Sequence, residues 1–404
     1  MKNFFLILFF FFLCATYNQL NAQENLEIFG YGQGSFLQFE NRYDPHVIEY
    51  DDNYTYKNMG ITQLNLLMSR SLGDELTAFI NFELTNNFDS ERGFGSFYLQ
   101  EAYLRWNYKD YLNLKFGMVI PKFNNLYEIY NKTPLIPYLI RPKIYEVNWG
   151  TYVDLFDYLP QKALLQVYGS FISDEIKFDY AFYCGNPPNS FLSSKDKDLI
   201  PGYVEYGQSA VNLLAVGGRI GIRTDNIKAG FSFAKDKENR REIELVAPES
   251  VVGLGDLDRY KLGFDASFEF GDFNIVGEYL LNKVPLTNDQ QDSLDYWSSI
   301  DPAFTGNGLN KYFYYVSAMY TFSEKFYSFI MFDYIQDKLD AWFFGNYGYY
   351  GYHIGCGYYM NENVVLKGQV TLNKANYNTG LDTPFPAKTD YREIYYAIGA
   401  SFSF

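Results

Sequence analysis

The last eleven residues of the chain alternate without a break. In an extended strand Ile394, Tyr396, Ile398, Ala400, Phe402 and Phe404 would point one way, and Tyr395, Ala397, Gly399, Ser401 and Ser403 the other. One face is apolar to the final residue, and the other is mostly small or polar. A soluble protein would have to cover that apolar face with a core. A transmembrane β-barrel would not, because its outer face meets lipid and its inner face a water-filled lumen.

The same period recurs along the chain with no helical periodicity between. Leu76, Ala78, Ile80, Phe82 and Leu84 oppose Thr77, Asn81, Glu83 and Thr85. Tyr260, Leu262, Phe264, Ala266, Phe268 and Phe270 oppose Lys261, Asp265, Ser267 and Glu269. Short polar turns such as Gly73-Asp74-Glu75, Ser173-Asp174-Glu175 and Gly271-Asp272 alternate with long polar connections. This grammar predicts an all-β fold, a transmembrane antiparallel β-barrel of about 16 strands. The strands are expected near 27–39, 58–72, 76–86, 97–107, 111–119, 163–172, 175–184, 209–223, 227–235, 257–270, 273–283, 311–322, 326–337, 347–360, 364–374 and 390–404. Both termini then fall at the short-turn end.

Composition agrees. Aromatics are 20% of the chain, with 40 Tyr and 38 Phe, which suits girdles at two membrane interfaces. Met1-Lys2, the apolar run Phe4–Leu13 and Leu20-Asn21-Ala22 read as a signal peptide over 1–22, leaving a single barrel domain over 23–404. Removing Lys2 takes the formal charge from −15 to −16, which argues against nucleic acid as a partner. Cys184 and Cys356 sit in separate strand-like segments and read as isolated thiols rather than a bridge.

The connection Ile120–Lys162 is too long and too apolar for a plain surface loop. Its stretch Leu135–Ile140 needs burial, which the inner wall of a wide barrel would supply. We therefore expect a long third loop folded inward. Its charges Lys122, Lys132, Arg141, Lys143, Glu146 and Asp154 become constriction candidates, and Arg141 with Lys143 is expected to form a basic cluster at mid-depth. The strand phases place Arg105, Lys115, Lys177, Arg219, Arg223, Lys228, Lys261 and Lys367 on the inner face. Glu83, Glu101, Asp179, Asp265, Glu269, Glu278, Asp333 and Glu393 balance them there.

The run Leu99–Trp106, then Leu112–Met118, then Pro121-Lys122-Phe123 resembles the phosphate-selective porin O and P family. Arg141-Pro142 and Gln166–Gly169 also look like its pattern. The resemblance implies a sixteen-stranded, trimeric diffusion channel of the bacterial outer membrane, in contact with lipid and lipopolysaccharide. The terminal Phe402 and Phe404 resemble the tag read by the barrel-assembly machinery. The balanced inner charges fit a mixed-charge pore better than a phosphate ladder.

Enzyme chemistry has few candidates. The only histidines are His46 and His353, and neither has a sequence neighbourhood suited to catalysis. No metal-ligand spacing occurs, and no cofactor is expected. The expected function is passive diffusion of small hydrophilic solutes or ions, with anions such as phosphate among the candidates. The alternatives are a barrel acting as an adhesin or partner-binding subunit through its acidic loops, and an outer-membrane hydrolase.

Overall fold

A computed structural model describes residues 26–43, 55–85, 96–146, 159–160, 163–185, 189–191, 205–207, 214–238, 257–290, 310–337, 347–377 and 389–404. The expected signal peptide, Asp154 and His46 lie outside these residues. The first strands are β1 Leu26–Tyr43, β2 Thr55–Ser71, β3 Leu76–Thr85, β4 Ser96–Lys109, β5 Leu112–Val119, β6 Ala163–Ser173 and β7 Ile176–Gly185. Then come the short β8 Asn189–Phe191 and β9 Glu205–Gly207, followed by β10 Ala215–Arg223, β11 Ile227–Glu238 and β12 Leu257–Phe270. The chain closes with β13 Phe273–Lys283, β14 Lys311–Ser323, β15 Phe326–Asp337, β16 Tyr347–Asn361, β17 Val364–Tyr377 and β18 Thr389–Ser403.

Sixteen of these strands form one closed antiparallel barrel, as the alternation predicts. The other two, β8 and β9, pair with each other inside a connection that the sequence marks as loop. Strands β1 and β2 run further toward the long-loop end than expected, to Tyr43 and from Thr55. Beyond the membrane both faces are wet, so the apolar period fades there while the hydrogen-bonded ladder continues.

The barrel strands sort their side chains by the predicted phase except where the register shifts, as on β2, where adjacent Thr62 and Gln63 are both buried. On β18, Ile398 is 69% exposed on the outside while Ser401 is fully buried on the inside. The outward residues of the neighbouring strands are also apolar, as lipid requires. Aromatic rings cluster at both ends of this belt. Tyr312, Tyr334 and Tyr350 meet at the long-loop end, and Phe273, Tyr320, Phe322 and Phe326 at the short-turn end. Tyr312 and Phe322 are about 33 Å apart along β14, or ~25 Å in height once the strand is tilted, which matches a bilayer's apolar band. Cys184 and Cys356 lie on β7 and β16, and both are free thiols.

The turns are built from residues that accept positive φ. Asp174 adopts φ 53° between β6 and β7, and Gly271 adopts φ 56° between β12 and β13.

Closure occurs where β1 meets β18. Gly30 and Phe404 exchange two backbone hydrogen bonds of 2.9 and 3.1 Å. The rings of Phe404 and Phe402 lie over Gly30 and Gly32; a Cβ at either glycine would clash with the ring, and at Gly30 also with the Asn65 carbonyl of β2. The terminal aromatics therefore cover the glycines of the first strand across the seam. Gly30→Val should hinder closure as strongly as loss of Phe404, although it leaves the expected terminal tag, Phe402 and Phe404, intact. Both variants should show less heat-modifiable, membrane-integrated barrel on gels. Normal levels for Gly30→Val would mean that the terminal ring acts only before closure.

Candidate functional site

The loop after β5 turns into the barrel at Gly117. Its φ is +131°, and a Cβ there would collide with the Ala102 carbonyl. The β5–β6 register shifts between Phe116 and Val119 at the same point. Only glycine fits this backbone, and it swings Val119, Ile120 and Phe123 into the lumen, where all three are buried.

Residues 120–146 then cross the lumen as irregular chain, with 3₁₀ turns at Thr133–Leu135 and Lys143–Tyr145. Backbone amides at membrane depth must find partners within the protein. The wall supplies them from inward side chains. Glu278 on β13 binds both limbs of the loop. Its Oε1 accepts from the Asn125 and Leu126 amides at 2.9 and 2.6 Å, and its Oε2 accepts from the Tyr145 hydroxyl at 2.6 Å. Gln369 on β17 accepts from the Leu139 and Ile140 amides at 2.9 and 3.0 Å and donates to the Ile140 carbonyl at 2.9 Å. Lys367 donates to the carbonyls of Thr133 and Ile136 at 2.6 and 2.7 Å. From β2, Gln63 donates to the Asn131 carbonyl at 2.8 Å. The Lys122 amide donates to Gln166 on β6 at 2.8 Å.

Apolar packing completes the seat. Ile136, Tyr138, Leu139 and Ile140 are buried, as the need for burial predicts, whereas Leu135 points out at 61% exposure. Tyr138 meets Phe329 edge-on at 5.0 Å, and Tyr145 meets Phe313 at 6.2 Å. Burial lifts the Tyr138 phenol to about 12. Burial, helped by the Glu278 carboxylate, raises Tyr145 well above its ordinary value. Tyr145 thus stays a donor at neutral pH. Asn124, with φ 51°, lies directly over Gly263 on β12, where any Cβ would overlap its amide.

The structure sorts the expected site residues into two groups. The first is tied up with protein partners. Arg141 is 1% exposed; its Nη1 donates to the Tyr130 carbonyl at 2.8 Å, and its Nε lies 3.7 Å from Glu146. Lys143 is buried 4.0 Å from Glu393 and 4.8 Å over the Tyr349 ring. Arg219 is held by Asp265 at 2.7 Å and Asp179 at 2.6 Å. The expected Arg141–Lys143 cluster thus faces the protein, each cation beside its own carboxylate.

The second group lines a cavity of about 280 Å³ on the short-turn side of the loop, against β1–β5. Arg105, Lys115, Lys132 and Glu101 line it, together with Glu128, Tyr103, Phe79, Phe29, Tyr31, Leu67 and Ile120. Lys115 sits 4.7 Å over Tyr103, and Lys122 sits 4.8 Å over Tyr168 close by. Among the described residues, no carboxylate lies within ion-pair distance of Arg105, Lys115 or Lys132. Arg223 is exposed near the short turn after β10 and does not join this group.

Glu128 and the inward aromatics were not legible as site residues. The signal for the aromatics was present in the strand phase, since Phe29, Tyr31 and Phe79 occupy inward positions where a wet lumen calls for polar groups. One arrangement resembles catalytic machinery. His353 Nδ1 lies 2.9 Å from Thr371 Oγ1, and its Nε2 lies 3.3 Å from Asp333. Thr371 is fully buried, however, and bonded by Gln369 as well, so no substrate carbonyl can reach it. The cluster instead supports the loop, because Asp333 accepts from the Lys143 amide at 2.8 Å.

The architecture is that of the bacterial outer-membrane porins. The anion-selective porin from Comamonas acidovorans matches with a TM-score of 0.57 at 12% identity, over 94% of this chain and 99% of that one. The outer-membrane channel DcaP of Acinetobacter baumannii matches at 0.56 and 11% identity, over 95% and 98%. OmpF of Salmonella typhi, in complex with daunomycin, matches at 0.51 and 13% identity, over 95% and 99%. At such identities the likeness is one of fold. No protein-family model and no curated protein matches the sequence.

Lys367→Met should unseat the loop while sparing the barrel. It removes charge-assisted bonds to loop carbonyls, each worth ~1.5–3 kcal/mol. Unitary conductance in planar bilayers should rise, and heat-modifiable migration should stay normal. Unchanged conductance would show that this lysine does not hold the loop.

Proposed function

We propose that the protein is an outer-membrane porin that lets small hydrophilic solutes diffuse passively, with its third loop as the constriction. The observation that carries this reading is the loop 120–146 seated inside a sixteen-stranded barrel and bonded around its wall, from Gln63 on β2 and Gln166 on β6 to Glu278 on β13 and Gln369 on β17. A barrel of this width would leave an open channel, so a loop fixed across it sets the radius. The porin fold and lipid-facing belt support an outer-membrane location. The homotrimer implied by the sequence resemblance belongs to the same reading, as do contact with lipopolysaccharide and recognition of Phe404 by the assembly machinery.

The arrangement of charge supports a modest anion preference. Lumen cations such as Arg219, Arg259 and Lys261 are paired with carboxylates. Arg105, Lys115 and Lys132 face the cavity instead, with Lys122 beside them. Permeation responds to the fixed charge nearest the narrow point more than to the total of −15. Glu101 and Glu128 share the lining, so a passing ion meets a mixed field rather than a ladder of cations. This favours small anions in general over phosphate in particular. Arg141 and Lys143 act on the shape of the loop.

Reversal potentials in a potassium chloride gradient test this. A charge ~6 Å from a passing ion is worth about 0.7 kcal/mol in water, or roughly threefold in preference. Replacing Arg105, Lys115 and Lys132 with Gln should shift the reversal potential markedly toward cation preference, with the barrel still assembled. A silent wild-type protein would contradict the porin reading. A conducting one whose reversal potential ignores all three changes would contradict the assigned selectivity.

A further inference from the structure

The inner wall of β1–β3 changes character at the level of the loop. Where the loop seats, the inward side chains are Gln33, Gln63, Asn65, Asn81 and Glu83, and several of them bond the loop directly. Toward the short-turn end, the inward positions of the same strands become Phe29, Tyr31, Leu67 and Phe79. The lumen of a barrel is ordinarily polar, and nothing in the bonding of the loop calls for this apolar patch. Leu67 is buried, but Phe29, Tyr31 and Phe79 stay partly exposed, and clustered apolar side chains facing a water-filled space mark a contact surface.

The patch and the cations line the same 280 Å³ cavity. Phe79 stacks with Tyr103 at 5.0 Å and 28°, and Lys115 caps Tyr103 at 4.7 Å, which leaves Phe79 as the ring of the pair open to a solute. Arg105 lies two residues from Tyr103 on the same face of β4, and its Nε is buried without a hydrogen-bond partner. Lys115 and Lys132 approach from β5 and the loop. Three cations against Glu101 and Glu128 leave one net positive charge. At ~30 Å³ per water, the space holds about nine waters, which one small ring with its substituent could displace.

We infer that this cavity is a solute-docking subsite for small aromatic monocarboxylates, with the ring among Phe79, Phe29 and Tyr31 and the carboxylate against Arg105 and Lys132. A purely inorganic anion would use the cations and leave the apolar wall wet. An aromatic cation would use the wall and meet the positive field. A flat, singly charged organic anion engages both the apolar side chains and the cations. That such solutes are carried rests on the diffusion-channel reading; binding to the cavity does not.

Calorimetric titration of benzoate into the folded, detergent-solubilised protein tests the subsite without requiring conduction. Benzoate should bind at least about tenfold more tightly than acetate, inorganic phosphate or benzylammonium. Phe79→Ala and Arg105→Gln should each weaken benzoate by about tenfold, with heat-modifiable migration confirming the barrel. Equal binding of acetate and benzoate would reduce the site to a plain anion patch and overturn the inference. So would equal binding of benzylammonium, or no benzoate binding at all. Planar-bilayer recordings on the same preparation separate the two readings. A protein that conducts chloride yet binds no benzoate keeps the porin and loses the subsite. One that binds benzoate selectively yet conducts nothing keeps the subsite and loses the porin.

Discussion

A backbone that leaves the sheet and enters a membrane barrel brings amides and carbonyls that must be bonded by the wall. That requirement organises this structure. Glu278 answers it most economically, since its two oxygens bind both the outgoing and the returning limb of the third loop. Gln369 and Lys367 do the same for the middle of the loop from β17, four strands further round the wall. These inward side chains are committed to the loop and so have little part in meeting solute. On the diffusion-channel reading, the pore is shaped by residues that are committed to the loop rather than to solute.

The same commitment redistributes charge. A −15 chain would suggest a cation-attracting lumen if its charges were spread evenly. Many inward carboxylates are instead neutralised locally. Asp236 grips Arg259 and Lys261, Asp179 and Asp265 share Arg219, and Glu393 faces Lys143. Pairs of this kind brace neighbouring strands and contribute little field along the axis. The cavity-facing Arg105, Lys115 and Lys132 then count for more than their number suggests. The Thr371–His353–Asp333 contact belongs to the same bracing, which is why a triad-like geometry here implies no chemistry.

The barrel was legible in the sequence because lipid imposes a strict period of two on every strand. Ile394 to Phe404 shows it most plainly, and the structure keeps its phase to the last residue. The inward loop was legible from its apolar content, since Leu135–Ile140 could not rest in water, though Leu135 itself stayed exposed. The role of each loop cation was not legible. Arg141 and Lys132 look alike in sequence, yet one folds back onto Tyr130 and Glu146 while the other reaches the cavity. Contacts decide that difference, and residue spacing within an irregular loop does not encode them. Glu278 and Lys367 could be placed on the inner face by phase alone, but their partners lie more than a hundred residues away in sequence.

The central claim is that the seated loop limits the passage. The direct measurement is unitary conductance in planar bilayers for the intact protein and for a variant lacking residues 135–141, at equal salt and with assembly verified for both. The deletion removes the segment that Gln369 and Lys367 hold across the lumen. The account predicts a clear rise in conductance and passage of larger polyethylene glycols. Equal conductance and an equal polymer cut-off would place the constriction elsewhere and contradict it.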